Sequence, residues 1–105
     1  MSLLLLWKDT KSIGYFLENL AIGEQINLPQ SVAQSSNFIG FAYLELGQYK
    51  EAKEYFDKSL SKSEKIGFKY NIGKTQLHLG QLKLKQDKYE DAFQHFLKAY
   101  DIFKM

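Results

Sequence analysis

The apolar positions of this chain recur at three- and four-residue steps, the spacing of one face of an α-helix. Between Gln30 and Leu46 they fall at 32, 39, 42, 43 and 46, with the small Gly40 among them, and Gly47 supplies a left-handed stop. A second helix is predicted from about Tyr49 to Lys65, with Ala52, Tyr55, Phe56, Ser59 and Leu60 on one side and Gly67 closing it. A third spans about Phe68 to Gln86. Asp87 follows as a candidate N-cap with Glu90 three residues on, and a fourth helix runs from Tyr89 to about Phe103. At the front, Asp9 or Thr10 caps a helix reaching to about Gln25, and Pro29 suits the first turn of the next one. No segment sustains a period-2 alternation, so strands are not expected. The pattern predicts five helices.

Sliding the chain against itself by 40 residues aligns Gly40 with Gly80, Leu44 with Leu84, Tyr49 with Tyr89, Ala52 with Ala92, Phe56 with Phe96 and Lys58 with Lys98. A further shift places Phe16 under Phe56 and Leu20 under Leu60. The chain therefore reads as one domain of about two and a half units: a second helix alone over 9–28, then repeats over 29–67 and 68–105. Gly40 and Gly80 sit in mid-helix, where Gly costs about 1 kcal/mol relative to Ala. That cost is understandable if a neighbouring helix comes too close for a side chain. Ala52 and Ala92 would then mark the facing contact, with Phe56 and Phe96 filling space around it. Repeated antiparallel helix pairs predict an all-α, right-handed α-solenoid.

The strings Ile39-Gly40-x-Ala42-Tyr43, Leu46-Gly47-x-Tyr49-x-Glu51-Ala52 and Tyr55-Phe56 resemble one tetratricopeptide repeat. Leu79-Gly80, Tyr89-Glu90-Asp91-Ala92, Phe96 and Lys98-Ala99 resemble the next, and the likeness covers about residues 9 to 103. Two departures stand out. Ser36 and Gln76 hold the place of the Trp often found early in the first helix, and the Pro that usually ends the second helix is replaced by extra turns. The resulting period is 40 residues instead of about 34.

The resemblance implies a protein–protein interaction scaffold whose concave groove, lined by the first helix of each unit, holds a peptide or a partner helix. Here those positions are Gln34, Asn37, Phe38, Phe41 and Glu45 from one unit, and Lys74, Leu77, His78, Gln81 and Lys85 from the next. The Lys/Asn/Arg clamp by which some members hold a C-terminal carboxylate does not reappear beyond Lys74. The resemblance equally admits a sensor or regulatory segment of a larger bacterial signalling or transcription-regulator protein.

Composition narrows the chemistry. The 105 residues include no Cys, which excludes disulfides, Cys-based zinc sites and thiol catalysis. All 14 basic residues are Lys, and against 12 acidic residues they leave a net charge of +2. The bidentate recognition of phosphate or carboxylate that Arg provides is therefore missing, and the groove inclines to neutral and apolar partners. Lysines alternate with aromatics around Lys65–Tyr70, but interspersed acids argue for a solvated surface and against nucleic acid. His78 and His95 lie on different helices without a ligand set, so no metal or other cofactor is implied. The chain carries no nucleophile elbow and no phosphate-cradling loop, so an enzyme is not expected.

Leu3 to Leu6 is too short to span a membrane or to form a signal core, which points to a cytoplasmic protein without membrane contact. Met1-Ser2-Leu3 looks vector-derived. Neither end reads as a polar cap. Leu4, Leu5 and Trp7 at one end and Phe93, Leu97, Tyr100 and Phe103 at the other suggest a slice of a longer array or homo-oligomeric, end-to-end association.

Overall fold

The computed structural model describes residues 3–104, with side chains from Thr10 onward. Five helices follow one another: α1 (Leu3–Gln25), α2 (Pro29–Glu45), α3 (Tyr49–Ile66), α4 (Lys69–Lys85) and α5 (Tyr89–Lys104). There is no strand among the described residues. Pro29 opens α2, where its missing N–H is no loss. Helix α1 already runs through Asp9 and Thr10, so neither caps it, contrary to the sequence expectation.

All four connections are the same turn. Asn27, Gly47, Gly67 and Asp87, twenty residues apart, each adopt a left-handed conformation with φ of 57°, 78°, 67° and 61°. The following N–H reaches back five residues: Leu28 to Gly23, Gln48 to Tyr43, Phe68 to Ser63 and Lys88 to Lys83, at 2.7–2.9 Å. This is the Schellman closure, which satisfies carbonyls that the helix end would otherwise leave open. The same four residues then accept the first N–H bond of the next helix, from Val32, Ala52, Ile72 and Ala92. Asp87 is therefore the left-handed stop of α4 and not the N-cap of α5. Its carboxylate accepts the Tyr89 hydroxyl instead, at 3.1 Å. A short turn that reverses direction forces each helix antiparallel to the last.

Packing follows the small residues. A methyl group at Gly40 would lie 2.6 Å from two ring carbons of Phe56 and 3.2 Å from the Ala52 carbonyl. Gly80 faces Phe96 in the same way, and Gly73 faces the Phe103 ring. Phe56, Ala52, Ala92 and Ile39 are essentially inaccessible. One core cluster joins Leu44, Ala52, Phe56, Leu79 and Leu82 across α2, α3 and α4, and a second joins Leu20, Val32 and Ile39 across α1 and α2.

Each helix packs on its sequence neighbours. Among the described residues the one further backbone packing is α2 on α4, while α1 and α3 are joined at their surface by the Glu24–Lys58 ion pair at 2.9 Å. The helices thus form two layers, and the layer of α2 and α4 is the tighter one. That difference bends the surface inward on the α2–α4 side.

Candidate functional site

The inner face is built on a polar seam that fixes α4 against α2 and α3. The Asn71 amide donates to Ser59 Oγ at 2.9 Å and to Ser63 Oγ at 2.8 Å, from α4 to α3. Ser59 Oγ donates to the Ala33 carbonyl of α2 at 2.9 Å and lies 3.0 Å from Thr75 Oγ1. Thr75 donates to Asn37 Oδ1 at 3.1 Å, and His78 Nδ1 lies 2.9 Å from the same oxygen. Asn37, Ser59, Ser63, Asn71 and Thr75 are all buried. Pairing is what makes such burial tolerable, and it also fixes register, because a slipped helix would strand several polar groups at once. Ser36 Oγ and Asn37 Nδ2 are left without partners.

Asn37 corrects the sequence reading. Expected to line the groove, it is 1% exposed, pointing between α2 and α4. His78 is also drawn inward, its ring 4.7 Å from Phe41 and 5.7 Å from Phe56. Burial, with Lys74 one turn away, pushes its pKa down to about 4, so it is neutral at physiological pH. His95 is lowered too, chiefly by burial and then by Lys98 and Lys83. Its Nδ1 meets Gln76 Oε1 at 2.7 Å. Gln76 thus joins α4 to α5 by a hydrogen bond at the place where the resemblance leads one to look for a Trp.

The remaining predicted groove residues separate into two groups. Phe38 stacks on Phe16 of α1 with ring centroids 4.8 Å apart, and Lys74 Nζ lies over the Phe38 ring, 4.5 Å from its centroid. It is a partly covered anchor, not a free one. Gln34 and Leu77 are exposed on the same helices. At the other end Phe41, Glu45, Gln81 and Lys85 do come together, joined by Leu44 and Leu84, around a cleft of about 460 Å³ between the last turns of α2 and α4. An adjoining hollow of about 210 Å³ runs on past Glu45 and Lys85 to Leu46, Gly47 and Tyr49. The apolar floor with one carboxylate and one ammonium at its rim suits a side chain flanked by polar backbone. Hollows of about 520 and 530 Å³ beside α3 and α5 are each walled by a single helix and open to solvent.

Sequence reasoning missed Leu44 and Leu84. The 40-residue shift matches them with each other, but nothing in it shows that Leu84 stays exposed while Leu44 is buried.

Of the apolar residues expected to mediate end-to-end association, Phe93, Leu97, Tyr100 and Phe103 are all exposed on α5, and one part of the Phe103 ring also lies over Gly73 within the chain. The side chains of Leu4, Leu5 and Trp7 lie outside the described residues. Among the described residues no group of three or more His, Asp or Glu is placed to hold a metal, and no helix is long and apolar enough to cross a membrane.

The family model described as a tetratricopeptide repeat matches residues 30–105. No curated protein and no solved structure matches the chain.

Proposed function

From the premise that this chain belongs to the tetratricopeptide repeat family, we propose that it binds a protein segment, an extended peptide or a partner helix, in the cleft between α2 and α4. Tetratricopeptide repeats generally mediate protein–protein interaction and are typically non-catalytic scaffolds. The observation that carries the assignment to this face is the convergence of Phe41, Leu44, Glu45, Gln81, Leu84 and Lys85 around one cleft. Its chemistry favours an apolar side chain as the anchor, with Gln81 free to pair with backbone amide and carbonyl groups and Glu45 and Lys85 reading polarity at the rim. Phe38, Lys74 and Leu77 extend the track toward α1. Read with unit boundaries near 28 and 67, the two walls of the cleft would belong to successive helix pairs. This arrangement needs no cofactor and no nucleic acid.

A displayed pool of random peptides selected against the chain supplies the probe. Amide shifts on titrating a selected peptide should concentrate at Phe41, Glu45, Gln81, Leu84 and Lys85. Leu84→Glu puts a charge on the apolar wall at an exposed position and should weaken binding about tenfold or more. Shifts confined to α3 and α5, or unchanged affinity in Leu84→Glu, would place the binding face elsewhere.

A further inference from the structure

The outer side of α5 carries apolar residues that stacking of helices does not explain. Shifted by 40 residues, Phe93 and Leu97 stand where α3 has Lys53 and Asp57. On α3 those two form an exposed ion pair, Nζ to Oδ2 2.7 Å, even though α3 is flanked by both α2 and α4. A helix seated on α5 as α4 sits on α3 would leave Phe93 and Leu97 in water. Both are exposed, in one stripe with Tyr89 at 65% and Tyr100 at 62%.

We infer that this stripe is a homotypic contact, in which α5 packs antiparallel against α5 of a second copy of the chain. Area and charge select that occupant. The exposed parts of Tyr89, Phe93, Leu97 and Tyr100 amount to roughly 450–500 Å² per chain, so a symmetric pair buries on the order of 1,000 Å², near the lower bound for a specific but weak dimer. A two-fold axis at Leu97 sets Leu97 against its own copy and Phe93 beside Tyr100 of the copy. Glu90 lies in the first turn of α5 and Lys104 in the last, each seven residues from Leu97. Seven-residue spacing keeps both within about 20° of Leu97 around the helix, so the axis brings Glu90 level with Lys104 of the copy at each end of the contact. The antiparallel sense also sets the N-terminal end of one helix dipole beside the C-terminal end of the other. A parallel pairing would oppose Glu90 to Glu90 and Lys104 to Lys104.

Sedimentation equilibrium of the full chain from about 10 µM to about 1 mM tests the contact, a range suited to a weak interface. A reversible dimer is expected. Phe93→Lys with Leu97→Asp copies the α3 ion pair onto α5 and should yield a monomer with unchanged helical circular dichroism. Glu90→Lys and Lys104→Glu should each weaken the dimer, and the double exchange should restore it. Because the chain has no Cys, Leu97→Cys offers a second reading that does not depend on those variants. It should oxidise to a disulfide dimer about tenfold faster than Asp57→Cys on α3, through the effective concentration at the axis. A strict monomer at every concentration would overturn the proposal. So would a dimer that survives the Phe93/Leu97 change, a double exchange no better than its singles, or equal oxidation at 57 and 97.

Discussion

Replacing Gly40 by Ala tests the account of helix packing most directly, because local and tertiary effects pull in opposite directions. By helix propensity alone the change stabilises by about 1 kcal/mol. The added methyl, however, would stand 2.6 Å from Cδ1 and Cε1 of Phe56 and 3.2 Å from the Ala52 carbonyl. Ordinary contact begins at about 3.4 Å, so the ring or the whole of α3 must retreat by roughly 0.8 Å. Phe56 has no free side to retreat into, being 0% exposed. Overpacking of this kind costs about 1–3 kcal/mol, and here the close neighbours include rigid backbone, which places it at the upper end. The net expectation is a loss of about 1–2 kcal/mol, or a melting temperature lower by on the order of 5–10 °C for a domain of this size. Gly14 provides the matched control. It is helical and exposed, and a methyl there meets nothing within 4 Å. Gly14→Ala should therefore raise stability by about 1 kcal/mol. Urea and thermal unfolding followed by circular dichroism read both variants. If Gly40→Ala proves as stabilising as Gly14→Ala, close approach of α3 is not the reason for the glycine.

Three further expectations follow from the polar seam and the turns. His78 has its pKa held near 4 in the folded chain against about 6.5 when unfolded, so the unfolded state binds the proton first as pH falls. Its share of stability is full above pH 6.5, declines below it, and reaches a loss of about 3 kcal/mol by pH 4. His78→Gln should flatten that part of the pH–stability curve, and an unchanged curve would refute the assignment. Ser59 and Thr75 own one hydroxyl proton each, and donating to Ala33 and Asn37 leaves none for the 3.0 Å contact between them. Turning the Asn37 amide end for end lets its idle Nδ2 serve Thr75 and His78 and frees the Thr75 proton for Ser59. That arrangement requires the Nε2–H tautomer of His78, and nitrogen-15 shifts showing Nδ1–H would exclude it. Finally, Asp87 holds the left-handed position that Gly occupies at 47 and 67. Asp87→Gly should stabilise by about 0.5–1 kcal/mol in urea melts, net of the lost Tyr89 contact.

Much of the architecture is carried by local signals. Glycines at 47 and 67 and the proline at 29 mark turns because their backbone preferences act within a few residues, and the aromatic and small positions mark which helix faces meet. The misreadings have a common source. Asp87 has the composition of an N-cap, but it sits two residues before α5, where the Schellman closure of α4 needs a left-handed residue. Asn37 occupies a groove-side position on the helical wheel. Yet Thr75 and His78 of α4 offer it partners 38 and 41 residues away, and those bonds draw it inside.

The sequence by itself determined five helices, their antiparallel order and the small and aromatic positions through which one helix seats on the next, since all of these depend on short-range geometry repeated along the chain. That the rings of Phe56 and Phe96 are what lies nearest Gly40 and Gly80 came from the structure. Which polar side chains are buried was settled only by tertiary structure, as was the gathering of Phe41, Leu44, Glu45, Gln81, Leu84 and Lys85 into one cleft. Those outcomes depend on how closely α2 approaches α4. That distance is set by hydrogen bonds between residues far apart in sequence, and no periodicity encodes it.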